Sequence, residues 1–249
     1  AWWTEEIGKM RVVIPEDEKK ALTHYAYHIK AGKEIFAAEG AFGQYLICFR
    51  DYPVAIGITA GASEYLAADI CLKYIKEAVQ IPCEKENLEE AQEKLEEKLV
   101  HLTLPKPEGD KKDTNEATKK LLNKRIAFTE NPRQIESAVI STVGEELKLE
   151  LTVAGEKKIL FAGYKDWKCN DMYPNDFTKR YHAVSYAFDE DALYLSVGLL
   201  NTSYREEYCL WVNSENVVVG TWRPNVTYLP AEEDMTWKFT GTFEPSCIL

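Results

Sequence analysis

Between residues 147 and 212, apolar side chains fall at every second position. Leu147, Leu149, Leu151 and Val153 alternate with polar partners. So do Val184, Tyr186 and Phe188, then Leu193, Leu195 and Val197, then Tyr208, Leu210 and Val212. A period of two sends one face of each segment to a core and the other to water, so these segments read as strands. The breaks Ala154-Gly155-Glu156, Asp189-Glu190-Asp191 and Asn213-Ser214-Glu215 are turn chemistry. Short turns between closely spaced strands predict an antiparallel sandwich or barrel. An up-and-down barrel is favoured, because closing the sheet removes its edges.

The N-terminal part carries other signals. Tyr45-Leu46-Ile47-Cys48-Phe49 and Val54-Ala55-Ile56-Gly57-Ile58-Thr59 are apolar runs separated by Arg50-Asp51-Tyr52-Pro53, which predicts a hairpin. Their unbroken apolar character predicts that both faces are covered. A helix is expected from Ser63, with Leu66, Ile70, Tyr74 and Ala78 along one face, ending by Ile81 because Pro82 disfavours helical geometry before it. A second helix is expected from Leu88, capped by Asn87 with Glu90 reaching back. Its apolar stripe is Leu88, Leu95, Leu99 and Leu102, and Glu90 with Lys94 makes a favourable pair. Residues 105–115 contain two prolines, a glycine and no large apolar side chain, so they read as an exposed connector. The expected organisation is α+β: hairpin and helices in residues 1–104, a linker over 105–118, and an antiparallel β-barrel over 119–249.

At 249 residues and 28.5 kDa the chain can bury a sizeable core without disulfides. Its net charge of −11 and pI near 5.0 repel phosphate backbones and anionic lipid, so neither nucleic acid nor a membrane surface is an expected partner. No stretch approaches the roughly 18 apolar residues of a membrane span. The start, Ala1-Trp2-Trp3-Thr4-Glu5-Glu6, lacks the basic and apolar regions of a signal peptide. Cys48, Cys71, Cys83, Cys169, Cys209 and Cys247 show no zinc spacing and are expected as free buried thiols in a reducing compartment, which points to the cytoplasm.

The segment Ala38-Glu39-Gly40-Ala41-Phe42-Gly43-Gln44-Tyr45, followed by Arg50-Asp51-Tyr52-Pro53-Val54-Ala55-Ile56-Gly57-Ile58-Thr59, resembles the third-motif strand and hairpin partner of class C β-lactamase-related and penicillin-binding-type serine hydrolases. The branch it resembles reads A-x-G-x-F-G-Q in place of K-T-G. Residues from about Lys124 to Phe243 resemble the small lipocalin-like barrel that many of these hydrolases carry at the C-terminus. The resemblance implies that Ala38, Glu39 and Gly40 form the cleft-lining triplet and that the N–H of Ala41 is an oxyanion donor. It implies a small acyl substrate (amide, ester or β-lactam) and no cofactor or metal. In the family a serine in S-x-x-K is the nucleophile. No serine here is followed three residues later by lysine, and the one Y-x-N, Tyr173-Pro174-Asn175, falls in the barrel region. The resemblance therefore implies the C-terminal part of a longer hydrolase, inactive alone, whose partner is the missing N-terminal part. Strands cut from a larger sheet would leave an exposed edge near residues 41–59, through which the chain would self-associate.

Other constellations carry less. His24 and His28 have metal-ligand spacing on a helix, but the alternation of Tyr25, Tyr27 and Ile29 favours a strand. Cys48, with His24 or His28 as base, has the elements of a thiol nucleophile, yet its apolar run favours a packed thiol. Trp167, Trp211, Trp222 and Trp237 would line a ligand cavity or fill the core, and packing is favoured. A barrel that binds a ligand, or one that caps the cleft, is the alternative function. There is no phosphate-binding glycine motif.

Overall fold

The computed structural model describes residues 28–31, 35–61, 73–75, 77–78, 88–109, 118–170, 181–189, 191–200, 202–226 and 235–245. The chain divides into two units, Ala1–Thr103 and Leu104–Leu249.

The first unit holds an antiparallel sheet of β1 (His28–Ala31), β2 (Ile35–Gly40), β3 (Gln44–Phe49) and β4 (Ala55–Ile58), paired in that order. The apolar runs pair as the hairpin β3–β4, with Tyr45 opposite Ile58 and Cys48 opposite Ala55. One face buries Ala37, Ile47 and Phe49, with Tyr45, Ile56, Ile58 and Ile75 packed against them. The opposite face, expected to be covered, is exposed among the described residues. Leu46 is 55% exposed, and Ala38, Ala55 and Gly57 beside it are exposed too. Continuous apolar sequence signals two faces suited to burial, and the described residues of this unit cover one.

Residues 73–75 and 77–78 of the first expected helix are helical, and its remaining residues lie outside the described ones. The second helix, α1 (Leu88–Val100), forms as its pattern predicts. Lys94 bridges to Glu90 at 2.5 Å, with Glu89 and Glu90 in the first turn and Lys98 in the last, the arrangement the helix dipole favours. No residue of α1 is buried, so its leucine stripe stays exposed.

The second unit is a closed β-barrel. Its strands are β5 (Arg125–Phe128), β6 (Ile135–Val143), β7 (Glu146–Val153), β8 (Glu156–Tyr164), β9 (Lys168–Asn170), β10 (His182–Phe188), β11 (Ala192–Leu199), β12 (Arg205–Val212), β13 (Val218–Pro224) and β14 (Trp237–Phe243). Around the ring the order is β11-β12-β13-β14-β5-β6-β7-β8-β10, and β10 returns to β11. That makes nine strands, with β9 laid on β10. A closed ring with an odd number of strands cannot alternate direction throughout, so one neighbouring pair must be parallel. That pair is β8 and β10, with pairings at Gly163–Ser185 and Tyr164–Tyr186. The barrel is thus closed as expected but is not a pure up-and-down meander, because the β8–β9–β10 path contains a crossover.

Beyond those two pairings the Lys165 N–H donates to the Tyr186 carbonyl at 2.9 Å and the Ser185 hydroxyl to the Gly163 carbonyl at 3.3 Å, and a third contribution comes from Asn170. Asn170 is buried, its Oδ1 accepts from the Phe161 N–H at 2.6 Å, and its Nδ2 donates to the Phe161 carbonyl at 3.0 Å and the His182 carbonyl at 3.4 Å. One amide thus stands in for a missing strand residue between β8 and β10.

Inward residues follow the alternation. Leu147 and Leu149 on β7, Leu160 and Ala162 on β8, Val184, Tyr186 and Phe188 on β10, Leu193, Leu195 and Val197 on β11, and Leu210 on β12 form one buried core with Trp222, Trp237 and Phe239. Of the expected linker, residues 105–109 and Thr118 are described. Pro107 and Thr118 are buried, and a Cβ on Gly109 would sit 2.8 Å from the Phe188 carbonyl oxygen. This stretch lies against the barrel instead of standing free, because a proline ring and a bare glycine backbone fit closely over a strand end. Cys48, Cys169 and Cys209 are free thiols as expected, but Cys169 is exposed and the other two are only partly buried.

Candidate functional site

The structure offers two places to examine, one in each unit. In the first, Ala38, Glu39 and Gly40 close β2, and Ala41 opens the turn to β3. Phe42 and Gly43 in that turn take φ of 63° and 85°, which lets the chain reverse directly onto Gln44. Gly40 pairs with Gln44. A Cβ at Gly40 would lie 3.0 Å from the Gln44 Cβ, so its bareness has a local cause in the turn. Gln44 is itself anchored, donating its side-chain amide to the Ala60 carbonyl. No nucleophile or base approaches Ala41 among the hydrogen bonds of the described residues.

The second place is the interior of the barrel at one end. Reversal from β5 to β6 carries residues 129–134 over this end. Asn131 fixes the loop: its Nδ2 donates to the carbonyls of Thr129 and Ile135, and its Oδ1 accepts from the Ile135 N–H at 3.0 Å. Gln134 turns the chain with φ 52°, and a bulge follows between Ile135 and Ser137. This geometry presents Arg133 to β12, where Glu206 shares the inward parity of Tyr208 and Leu210.

Glu206 is 6% exposed, and a carboxylate taken out of water needs charged or hydrogen-bonding partners. Both of its oxygens have one. Oε1 lies 3.1 Å from Arg133 Nε, and Oε2 accepts from the Tyr208 hydroxyl at 2.6 Å. Arg133 also interacts electrostatically with Tyr208 and lies over the Trp222 ring at 5.9 Å. Burial lowers the guanidinium's proton affinity, but Glu206 and Tyr208 together outweigh that and hold Arg133 above its ordinary value. Burial, reinforced by the Glu206 charge, raises Tyr208 well above the ordinary phenol value of 10.0.

A raised folded-state pKa on an acid means that its contribution to stability is intact below the unfolded value and lost as pH rises beyond it. We expect the barrel to lose stability above pH 10 as Tyr208 is forced to ionise. Tyr208→Phe should flatten that alkaline limb while costing about 1.5–3 kcal/mol at pH 7 for the lost hydrogen bond to a charged group. Thermal unfolding from pH 7 to 11 checks both, and an unchanged alkaline limb in the variant would remove Tyr208 as its cause.

Below this cluster lies a cavity of about 120 Å³. Leu149, Leu151, Leu160, Leu195, Leu210 and Phe239 are part of its apolar wall. Arg133, Lys158, His182, Glu206 and Tyr208 supply the polar part. These polar residues share one end of the barrel: Lys158 opposes Leu151 near the β7–β8 turn, His182 opposes Leu199, and Glu206 opposes Val197. Phe239 can form the wall because Gly220 lies beneath it, where a Cβ would come within 2.4 Å of the ring. None of the four barrel tryptophans is among the cavity-lining residues. Trp222 and Trp237 instead pack on each other at 4.9 Å, in line with the packing expectation.

The other sequence candidates do not assemble. His28 sits on β1, while His24 lies outside the described residues. Among the described residues no three of His, Cys, Asp and Glu gather as a metal site, and no helix is long and apolar enough to cross a membrane. Tyr173-Pro174-Asn175 lies outside the described residues. Nothing in the sequence singled out Arg133. Glu206 and His182 had a usable signal, the inward parity they share with Tyr208 and Val184. A scan of family models finds no match to the chain, and neither does a search of the curated proteins.

Proposed function

We propose that the chain is the C-terminal part of a β-lactamase-related serine hydrolase, in which it supplies one wall of an acyl-transfer cleft and no nucleophile. The observation that carries this reading is the extended course of β2 through Ala38, Glu39 and Gly40, with Ala41 at the turn. A substrate acyl group can lie along such a strand end, with the Ala41 N–H aimed at its developing oxyanion. The open sheet face around Leu46 supports the same reading, since an apolar face of this kind suits burial under further chain. The chain alone should turn over neither a chromogenic β-lactam nor a nitrophenyl ester. A longer polypeptide that includes the upstream coding sequence should be labelled by a fluorophosphonate at an S-x-x-K serine. Gly40→Val in that polypeptide should slow the labelling, because its side chain would stand where the acyl group lies against bare backbone. Labelling of a serine within the 249 residues would overturn the reading.

The open face has its own readout. The isolated chain should self-associate through it, and Leu46→Glu should return the chain towards a monomer in light scattering. A wild-type chain that scatters as a monomer at all concentrations would remove this support.

A second reading concerns the barrel alone, as a lipocalin-like binding module, and the interior cavity favours it. Barrels of roughly eight strands have room for one small ligand. Titration of the full chain with small apolar compounds, followed by calorimetry or chemical-shift change at Leu195 and Phe239, tests it. Absence of any such binding would leave the barrel as a packed cap.

A further inference from the structure

We infer that the barrel cavity is a site for a compact carboxylic acid, with its hydrocarbon part inside and its carboxylate at the Arg133 end. This rests on the second reading above, that the barrel holds a ligand, and adds the chemical class.

Three observations combine. The cavity volume, about 120 Å³, is close to the roughly 150 Å³ that accommodates a single benzene ring. It therefore suits one ring or a short branched chain and excludes a long acyl chain. Its deep wall is apolar, built from Leu149, Leu160, Leu195 and Phe239 among others, so the inner part of the ligand must be hydrocarbon.

The polar groups stand at one end only, and their chemistry sets the sign. The cavity-lining residues include two basic side chains, Arg133 and Lys158, and one carboxylate, Glu206. Both oxygens of Glu206 are already engaged, by Arg133 and Tyr208, so it has little to offer an incoming ammonium group. A guanidinium carries five N–H donors, and Arg133 commits one to Glu206. Its remaining donors are suited to a second carboxylate, in the planar two-point geometry that arginine favours. His182, on the neighbouring strand, adds an imidazole to the same end. An anion bound here meets donors and net positive charge, whereas a cation would have to displace Arg133 from Glu206.

The test uses the full chain and three probes that share one ring: phenylacetate, toluene and benzylamine. Calorimetric titration at pH 7 should find phenylacetate binding at least about tenfold tighter than either of the others, the scale of one hydrogen bond to a charged group. Lys158→Gln, at a half-exposed position, and Arg133→Lys, which keeps a cation beside Glu206, should each weaken phenylacetate about tenfold and leave toluene unchanged. Thermal unfolding confirms that both variants are folded. Equal binding of phenylacetate and toluene, or tighter binding of benzylamine, overturns the carboxylate assignment while leaving the cavity as a binding site. Failure of all three probes to bind overturns the ligand-holding reading itself, and the assignment with it.

Discussion

Asn170→Leu should lower the unfolding free energy of the barrel by about 3 kcal/mol, since leaving each buried backbone group unsatisfied costs about 1–3 kcal/mol. The replacement is close in size, so the loss is one of hydrogen bonding. It leaves the Phe161 N–H and carbonyl, which Asn170 holds at 2.6 and 3.0 Å, without their partner. The effect is magnified by position. β8 and β10 are otherwise joined by the pairings at Gly163–Ser185 and Tyr164–Tyr186, by the Lys165 N–H on the Tyr186 carbonyl and by the Ser185 hydroxyl on the Gly163 carbonyl, so the seam has little reserve. Amide hydrogen exchange should locate the damage, with the Phe161 N–H exchanging faster than the amides of β12 and β13. A variant with wild-type stability and unchanged exchange at Phe161 would show that the seam does not depend on this side chain.

Arg133→Met should destabilise the barrel comparably, by about 3 kcal/mol, because removing one partner of a buried ion pair leaves the other charge desolvated. Glu206 is the buried member, while the Arg133 side chain is 41% exposed, which places the cost at the lower end for such pairs. For a unit of this size that corresponds to a fall of roughly 10 °C in the unfolding temperature. The double variant Arg133→Met/Glu206→Leu should recover most of the loss, since replacing both partners by apolar groups removes the stranded charge. A double variant no more stable than the single would mean that the loop over the barrel end, not the charge, requires Arg133.

Much of the barrel could be read from the chain because alternation survives wherever a strand carries ordinary side chains. β7, β10, β11 and β12 were anticipated from Leu147 to Val153, Val184 to Phe188, Leu193 to Val197 and Tyr208 to Val212. β13 and β14 hide the same rule, because their inward positions include Gly220 and Gly241. There the volume is filled by neighbours, by Phe239 in one case and by Ile126 and Phe128 in the other, so hydrophobicity along the strand underreports its burial. The parallel seam was not legible at all. It follows from a strand count around the ring, a global quantity that no local window contains. The polar cluster escaped for a related reason. Glu206 breaks the apolar alternation, and it is burial beside a loop residue 73 positions away that gives it meaning. In the first unit, α1 was legible from its Glu90–Lys94 spacing and the β3–β4 hairpin from turn chemistry, while Asn87, the expected cap, lies outside the described residues and the exposure of the Leu46 face was not legible, since apolar sequence states a preference for cover without supplying it.

The ring also has a joint whose consequence lies in time. β14 pairs with β5, placing Gly241 opposite Phe128, and Thr240 exchanges hydrogen bonds with Thr129, 111 residues earlier. Contacts this remote in sequence form late, since the intervening loop must lose its freedom before the pairing repays it. During synthesis the first strand of the barrel must therefore wait, unsealed on one side, until the last has left the ribosome, and a chain that stops short of Trp237 would never complete its circle.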